Sequence, residues 1–240
     1  MERGTALVTG AGSGIGQATA YALAEQGFAV VMVSLEPAPS SVPDRARYVQ
    51  ADIADLDVHA GLLEAAGPLT CLVNSAGVTS LVRGDVLELT PESFDRVMSV
   101  NLRGTFFLSQ AVARQMLAQP GEGRSIVSVG SVNAEIVGET RGDYCMSKAG
   151  LAMMTKLLAS RLGSAGIAVY EVRPGIIRTP MTSAATSRYD ALIAAGGIPL
   201  ARWGEPVDVA RAICTLACNG FPYTTGVSIE VAGGLQLHRV

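Results

Sequence analysis

Short apolar runs alternate along the chain with longer segments in which alanine and leucine recur at helical spacing. The apolar runs have the length and the β-branched content of buried strands, and several of them end in glycine. They predict strands at 5–10, 29–33, 47–52, 69–77, 125–131, 167–175 and 226–234. The segments between them predict helices at 14–27, 91–118, 144–163 and 206–218.

The alternation of strands and helices predicts the fold class. Near-continuous apolar strands separated by helices indicate a parallel sheet that is covered on both faces. Right-handed crossovers then give an α/β fold, a Rossmann-like doubly wound parallel sheet of about seven strands with helices on both faces. Without a repeat or a linker, we expect one domain over residues 1–240. Residues 34–47 read as a loop after the second strand, and residues 181–200 as a mobile flap over the site.

Composition and charge narrow the class of protein. The chain is 49% hydrophobic with a net charge of −3, which suits a large core and argues against nucleic acid as a partner. The N-terminus does not resemble a signal peptide, and no apolar stretch approaches about 20 residues, so we expect a cytoplasmic protein without a membrane partner. Cys214 and Cys218 stand one helical turn apart, but His59 and His238 lie far from them, so we expect reduced thiols and no metal.

The stretch "TGAGSGIG" at 9–16 follows the first strand and opens the first helix. A dinucleotide pyrophosphate binds at such a position, on the free N–H groups of a helix N-terminus. Gly10 would form the tight turn, and Gly14 and Gly16 would allow close approach. The spacing is not GxGxxG, because Ile15 occupies the position of the third glycine. A tight turn without a ligand is the alternative reading.

The stretch "YCMSK" places Tyr144 and Lys148 on one face of one helix. A nearby ammonium group favours the phenolate form of a tyrosine, which can then exchange a proton with a substrate oxygen. The alternative is an ordinary surface pair, in which the lysine stem covers apolar surface. The five letters alone do not separate these readings.

Several further motifs stand in one order, and together they resemble the short-chain dehydrogenase/reductase family from residue 5 to about residue 234. "TGAGSGIG" matches the cofactor loop of that family, and "NSAG" at 74–77 resembles its NNAG turn, with Ser75 in place of the usual second asparagine. Ser131 stands thirteen residues before Tyr144, the usual separation in the family. "RPGIIRTPM" at 173–181 resembles the PG motif beside the nicotinamide.

The resemblance implies a catalytic set of Asn101, Ser131, Tyr144 and Lys148. Tyr144 would exchange the proton with the substrate oxygen, Ser131 would hydrogen-bond the same oxygen, Lys148 would also hold the nicotinamide ribose, and Asn101 would place a water in the proton path. A serine hydrolase is disfavoured, because the chain has no GxSxG and its histidines are badly placed. A redox-silent dinucleotide-binding regulator on the same fold is the alternative of another class.

The resemblance also implies the cofactor-binding residues. They are Gly10, Gly12, Ser13, Gly14, Ile15, Gly16, Ser34, Asp52, Ile53, Asn74, Ala76, Gly77, Tyr144, Lys148, Pro174, Gly175, Ile177 and Thr179. Ser34 stands where members that use NAD carry an aspartate, and neither Ser13 nor Leu35 is the basic residue common in members that use NADP. Glu36 would take the acidic role only if the loop shifts. We therefore expect NADP or NAD, with a slight preference for NADP.

The substrate implied by the resemblance is a small-molecule ketone or alcohol. A 3-oxoacyl group on acyl carrier protein or CoA is one candidate, although the helix ends at 118–123 and 163–167 lack the basic residues expected to bind the carrier. The other candidates are a sugar, polyol or hydroxy acid, which are favoured by the polar residues near Tyr144, namely Asn133, Glu135, Glu139, Arg141 and Asp143. In the family that the sequence resembles, the helices at 91–118 and 144–163 usually pair with their twofold mates, so the resemblance implies a homotetramer.

Overall fold

The predicted strands form one parallel sheet in the order β3-β2-β1-β4-β5-β6-β7. The computed structural model describes residues 3–119 and 121–237. The strands are β1 Thr5–Thr9, β2 Ala29–Ser34, β3 Ala46–Gln50, β4 Leu69–Asn74, β5 Arg124–Val129, β6 Ile167–Pro174 and β7 Val227–Val231. The strand order reverses beside β1, which leaves a crevice between the carboxyl ends of β1 and β4.

Helices cover both faces of this sheet through two apolar clusters. The helices are α1 Gly14–Glu25, α2 Val58–Ala66, α3 Pro91–Met98, α4 Thr105–Leu117, α5 Gly142–Leu162, α6 Thr186–Ala194 and α7 Pro206–Ala217. On one face, Leu23 of α1 and Ile213 of α7 are fully buried with the strand residue Val8. On the other face, Leu108 of α4 and Leu162 of α5 are buried equally well. The doubly wound α/β fold is therefore confirmed.

The helix predicted at 91–118 is two helices joined by the π-helical segment Ser99–Gly104. A Cβ at Gly104 would lie 2.3 Å from the Ile53 carbonyl oxygen, so the backbones meet closely at this point. Asn101, in the middle of the segment, is fully buried and bonds the backbone of Val78. The wider π-helical turn therefore lies where the chain contacts the loops at Ile53 and Val78. Short π-helical segments within helices are common at functional sites.

Two other segments differ from the sequence reading. Helix α2 was not predicted, because its buried stripe is only His59, Leu62 and Ala66. The segment at 181–200, expected to be a mobile flap, contains a 3₁₀ turn and helix α6. Tyr189 of α6 packs edge to face against Trp203 at 5.6 Å, so this segment is anchored by its own small core.

Candidate active site

A cavity of about 680 Å³ opens along the carboxyl ends of the central strands. It extends from the glycine turn after β1 to the first turn of α5 and is bordered by α6. This volume lies in the range of sites that take a cofactor or a drug-sized molecule. The position is the crevice at which open α/β sheets bind their ligands.

In the glycine turn after β1, backbone segments approach each other too closely to leave room for side chains. Gly10 has φ +65°, and a Cβ there would lie 2.7 Å from the backbone of Ala76. A Cβ at Gly16 would lie 2.2 Å from the Gly10 carbonyl oxygen. Helix α1 begins at Gly14 with neither a side-chain cap nor an acidic residue in its first turn. Its first N–H groups are therefore available to an anion, as a dinucleotide pyrophosphate requires.

Most of the residues predicted to bind the cofactor line this cavity. They are Gly10, Ser13, Gly14, Ile15, Gly16, Ser34, Asp52, Ile53, Ala76, Gly77, Tyr144, Lys148, Pro174, Gly175, Ile177 and Thr179. Gly12 lies outside the lining and packs against Ser34 and Tyr48. Asn74 also lies outside the lining, because its side chain is buried within the sheet and donates to Ser109 and Ser128. Its amide thus ties β4 to α4 and β5.

The carboxylate of Glu36 lies just after the end of β2. The sequence analysis expected Glu36 to face the cofactor only if its loop shifts. The Ser34 hydroxyl donates to a Glu36 carboxylate oxygen at 2.5 Å, and both residues line the cavity. The Tyr48 hydroxyl donates to the Glu36 carbonyl oxygen at 2.6 Å. Burial raises the pKa of Tyr48, so this phenol keeps its proton at neutral pH. Glu36 is therefore held at the cavity without a shift of the loop.

Tyr144 and Lys148 lie side by side at the opposite end of the cavity, and both are more than nine-tenths buried. The Lys148 ammonium donates to the Val129 carbonyl oxygen at 2.9 Å and lies 5.6 Å from the centre of the Tyr144 ring. The strand end thus holds the ammonium beside the phenol.

Ser131 follows β5 and lines the cavity with Tyr144. Its hydroxyl oxygen accepts from the Asn133 N–H at 3.1 Å, which caps a short 3₁₀ turn. This contact fixes the oxygen and leaves the hydroxyl proton available to a ligand, since its closest acceptor, Asn133 Oδ1, is 3.5 Å away.

Asn101 lies behind the cavity, outside its lining, and its side chain is fully engaged. Oδ1 accepts from the Val78 N–H at 2.8 Å, while Nδ2 donates to the Val78 carbonyl oxygen at 3.0 Å and to the Ser147 hydroxyl at 3.1 Å. The amide thus joins the π-helical segment, the loop after β4 and helix α5. A Cβ at Gly77 would lie 3.3 Å from Asn101 Oδ1 and 3.7 Å from Lys148 Nζ.

Asp143, which the sequence analysis placed among the polar residues suited to a substrate, lies outside the cavity lining and instead anchors the start of α5. It is fully buried, and its Oδ1 accepts from the Tyr144 N–H at 2.7 Å and from the Ser80 hydroxyl. Its Oδ2 accepts from the Ser93 hydroxyl at 2.6 Å. Three elements therefore converge on the residue before Tyr144. An acidic residue before a helix tyrosine has no distinguishing sequence signal, since such residues usually face solvent.

Neither a metal site nor a membrane span emerges from the part of the chain that the structure describes. No group of three or more His, Cys, Asp or Glu side chains could hold a metal ion there. No helix in the described ranges is long and apolar enough to cross a bilayer. His59 bonds the Ile53 carbonyl oxygen at 2.9 Å, and His238 lies outside the described residues. Burial raises the pKa of Cys71 and of Cys214 to about 12.

The fold and this site define a nicotinamide-dependent oxidoreductase of the dinucleotide-binding α/β class. Comparison with known proteins supports this class. Residues 10–236 match the family described as enoyl-(acyl carrier protein) reductase. The chain belongs to the short-chain dehydrogenase/reductase family, whose members here act on CH–OH and C=O groups.

Three relatives illustrate the range of this similarity. The chain is 36% identical to (3R)-3-hydroxyacyl-CoA dehydrogenase of Rattus norvegicus, over 96% of this chain and 95% of that protein. It is 42% identical to a 3-oxoacyl-[acyl-carrier protein] reductase from Brucella melitensis in complex with NAD, with a TM-score of 0.95 over 100% of both chains. It is 34% identical to a structure from Agrobacterium tumefaciens described as a 2-deoxy-D-gluconate 3-dehydrogenase with bound NADP, with a TM-score of 0.85 over 98% and 97%.

Proposed function

We propose that this protein interconverts a ketone and a secondary alcohol with a nicotinamide cofactor, and that Tyr144 is its general acid/base. The observation that carries the proposal is the buried pair of Tyr144 and Lys148, with the ammonium held on the Val129 carbonyl oxygen. Tyr144 gives its proton to the ketone oxygen in reduction and takes it back in oxidation. Ser131 donates a hydrogen bond to the same oxygen, and Lys148 holds the nicotinamide ribose.

The cofactor would lie along the cavity, with its pyrophosphate at the N-terminus of α1. Gly10, Gly14 and Gly16 fit this position, because side chains there would collide or require a strained backbone. When bound, the nicotinamide supplies or accepts the hydride. Asn101 acts as a positioning residue in this scheme, since its amide holds Val78 and Ser147 around the catalytic helix. The other lining residues named above form the walls of the cofactor site.

We propose NAD rather than NADP as the preferred cofactor, which reverses the slight preference drawn from Ser34 alone. The Glu36 carboxylate is bonded to the Ser34 hydroxyl and lines the cavity, so a negative charge faces the adenosine end. Such a charge accepts hydrogen bonds from ribose hydroxyls and repels a 2′-phosphate. Glu36→Gln should raise kcat/KM for NADPH relative to NADH about tenfold, whereas Glu88→Gln, on the exposed surface, should leave the ratio unchanged. An unchanged ratio in Glu36→Gln would contradict this assignment.

The relatives support a 3-oxoacyl group, on CoA or on acyl carrier protein, as the substrate. The second candidate is a sugar acid or other hydroxy acid, which the polar and charged cavity wall at Asn133, Glu139 and Arg141 favours. We further propose that residues 1–240 act as one domain, in the cytoplasm, and that α4 and α5 pair with their mates in a homotetramer.

A screen at 340 nm tests the proposal. NADH and NADPH are each supplied with 3-oxoacyl thioesters, oxo acids, sugars and their alcohols in the reverse direction. Cofactor-dependent turnover of a ketone or secondary alcohol supports the proposal. Binding of NADH, seen by nicotinamide fluorescence, without turnover of any compound in the panel would favour the redox-silent alternative.

A further inference from the structure

Apart from Lys148, the basic side chains of the cavity lining are arginines. The lining includes four of them, Arg83, Arg96, Arg141 and Arg188, and Arg141 lies over the ring of Tyr144 at the substrate end. Glu139 is the acidic residue of the lining at this end, while the adenosine end is lined by Glu36 and Asp52. The charged side chains at the two ends of the cavity therefore differ in sign, which favours an anionic group of the substrate beside Tyr144.

Arg141 lies directly beside the proposed general acid/base. Its guanidinium carbon lies 5.2 Å from the centre of the Tyr144 ring, and the residue is half-buried. A Cβ at Gly138 would lie 3.0 Å from Arg141 Nε, so the glycine leaves the space that the guanidinium uses. Among the described residues, no carboxylate lies within ion-pair distance of it. A half-buried guanidinium with its donors unpaired is well suited to bind an anion.

Two of the other arginines line the same cavity from separate elements. The Gly84 N–H donates to the Thr140 carbonyl oxygen at 3.2 Å, which joins the loop that carries Arg83 to the loop that carries Arg141. Arg188 lines the cavity from α6. Arg96 already donates to the Thr79 carbonyl oxygen at 3.2 Å and is less available. Three segments thus each contribute an arginine to the wall of one cavity.

We propose that Arg141, assisted by Arg83 and Arg188, binds a carboxylate that the substrate carries close to its reacting carbonyl. The inference rests on the proposed function, because Tyr144 marks where the reacting oxygen lies. A thioester carries no charge beside its 3-oxo group, and the phosphates of CoA are a whole pantetheine arm away from it. A guanidinium that stacks on the catalytic tyrosine therefore selects an oxo acid or hydroxy acid over the corresponding thioester. The planar fork of arginine matches a carboxylate with two hydrogen bonds.

Calorimetric titration of the NADH-saturated protein tests this without turnover, because the ligands are alcohols and the cofactor is already reduced. The probes are 2-hydroxybutanoate, 3-hydroxybutanoate and 4-hydroxypentanoate, each beside its methyl ester, and 3-hydroxybutanoyl-CoA. At least one acid should bind about tenfold or more tightly than its ester. Arg141→Gln should weaken that acid about 10- to 100-fold and the ester less than about threefold. Arg141→Lys should retain part of the affinity.

Arg161→Gln is the matched control, because Arg161 is an exposed arginine of α5, the helix that Arg141 precedes, and lies outside the cavity lining. It should leave both affinities unchanged. Equal binding of acids and esters, or equal effects of Arg141→Gln and Arg161→Gln, would overturn the inference. So would tightest binding of the CoA thioester with loss in Arg141→Gln, since that result assigns the arginines to phosphate. Failure of the proposed oxidoreductase function would instead appear as absence of turnover in the 340 nm screen.

Discussion

Replacement of Asp143 by alanine should strongly destabilise the protein. The carboxylate is fully buried and accepts hydrogen bonds from the Tyr144 N–H, the Ser80 hydroxyl and the Ser93 hydroxyl. These donors belong to α5, the loop after β4 and α3. In Asp143→Ala all three lose their acceptor inside the protein, and helix α5 loses its tie to α3.

The magnitude follows from the number of donors left unpaired. A buried donor without an acceptor costs about 1–3 kcal/mol. The two hydroxyls can rotate toward other acceptors, whereas the Tyr144 N–H is fixed, so we expect a loss of about 3–5 kcal/mol. Asp143→Asn keeps one amide oxygen as acceptor and can donate to a serine oxygen, which should limit its loss to about 1–2 kcal/mol.

Urea unfolding followed by circular dichroism measures these differences. Asp95→Ala on α3 is the matched control, because Asp95 is exposed, and it should change the free energy of unfolding by less than about 0.5 kcal/mol. The predicted order of stability is wild type, Asp143→Asn, then Asp143→Ala. If Asp143→Ala were as stable as Asp95→Ala, the network would not hold the start of α5 and this reasoning would be refuted.

Two further predictions concern the glycine turn and the thiols. Gly16→Ala should weaken NADH binding at least about 100-fold, because its Cβ would lie 2.2 Å from the Gly10 carbonyl oxygen. Gly61→Ala in α2, where a Cβ meets nothing within 4 Å, should keep NADH affinity and add about 0.5–1 kcal/mol of stability; equal affinities in the two variants would contradict this account of the turn. Cys71 and Cys214, with pKa values of about 12, should have about one thiolate in 10⁴ at pH 8 and react slowly with Ellman's reagent in the folded protein. Rapid labelling of either thiol at pH 8 would show that it is not protected.

Much of the fold could be predicted because the strands carry a strong local signal. Each of the seven strands overlaps a predicted apolar run, and the parallel sheet follows from the helices between them. Helix α2 was not predicted, because its sequence "VHAGLLEAAG" has two glycines and only three buried residues along one face. The π-helical segment was not predicted either. It depends on contacts of Asn101 and Gly104 with loops far away in the sequence, which local sequence patterns do not indicate.

The part of the candidate site that consists of sequence motifs was predicted to come together. The glycine turn, Ser131, Tyr144 and Lys148 do line one cavity, and their roles remain predictions. The structural role of Asp143 could not be predicted, because its partners lie in segments far apart along the chain, and the expectation that it would suit a substrate was wrong. The arginines of the cavity wall could not be predicted as a group, because only the fold brings the loops at 83 and 141 together.

The comparison of Tyr144→Phe with the wild type tests the central claim most directly. The phenylalanine ring keeps the packing beside Lys148 and removes only the hydroxyl that would transfer the proton. Stopped-flow or steady-state turnover of an accepted substrate should fall by about 10²- to 10⁴-fold. NADH affinity measured by nicotinamide fluorescence should stay within about threefold of the wild type, since the hydroxyl is not placed at the phosphate end. Turnover within a few-fold of the wild type, with the cofactor bound normally, would contradict the assignment of Tyr144 as the general acid/base.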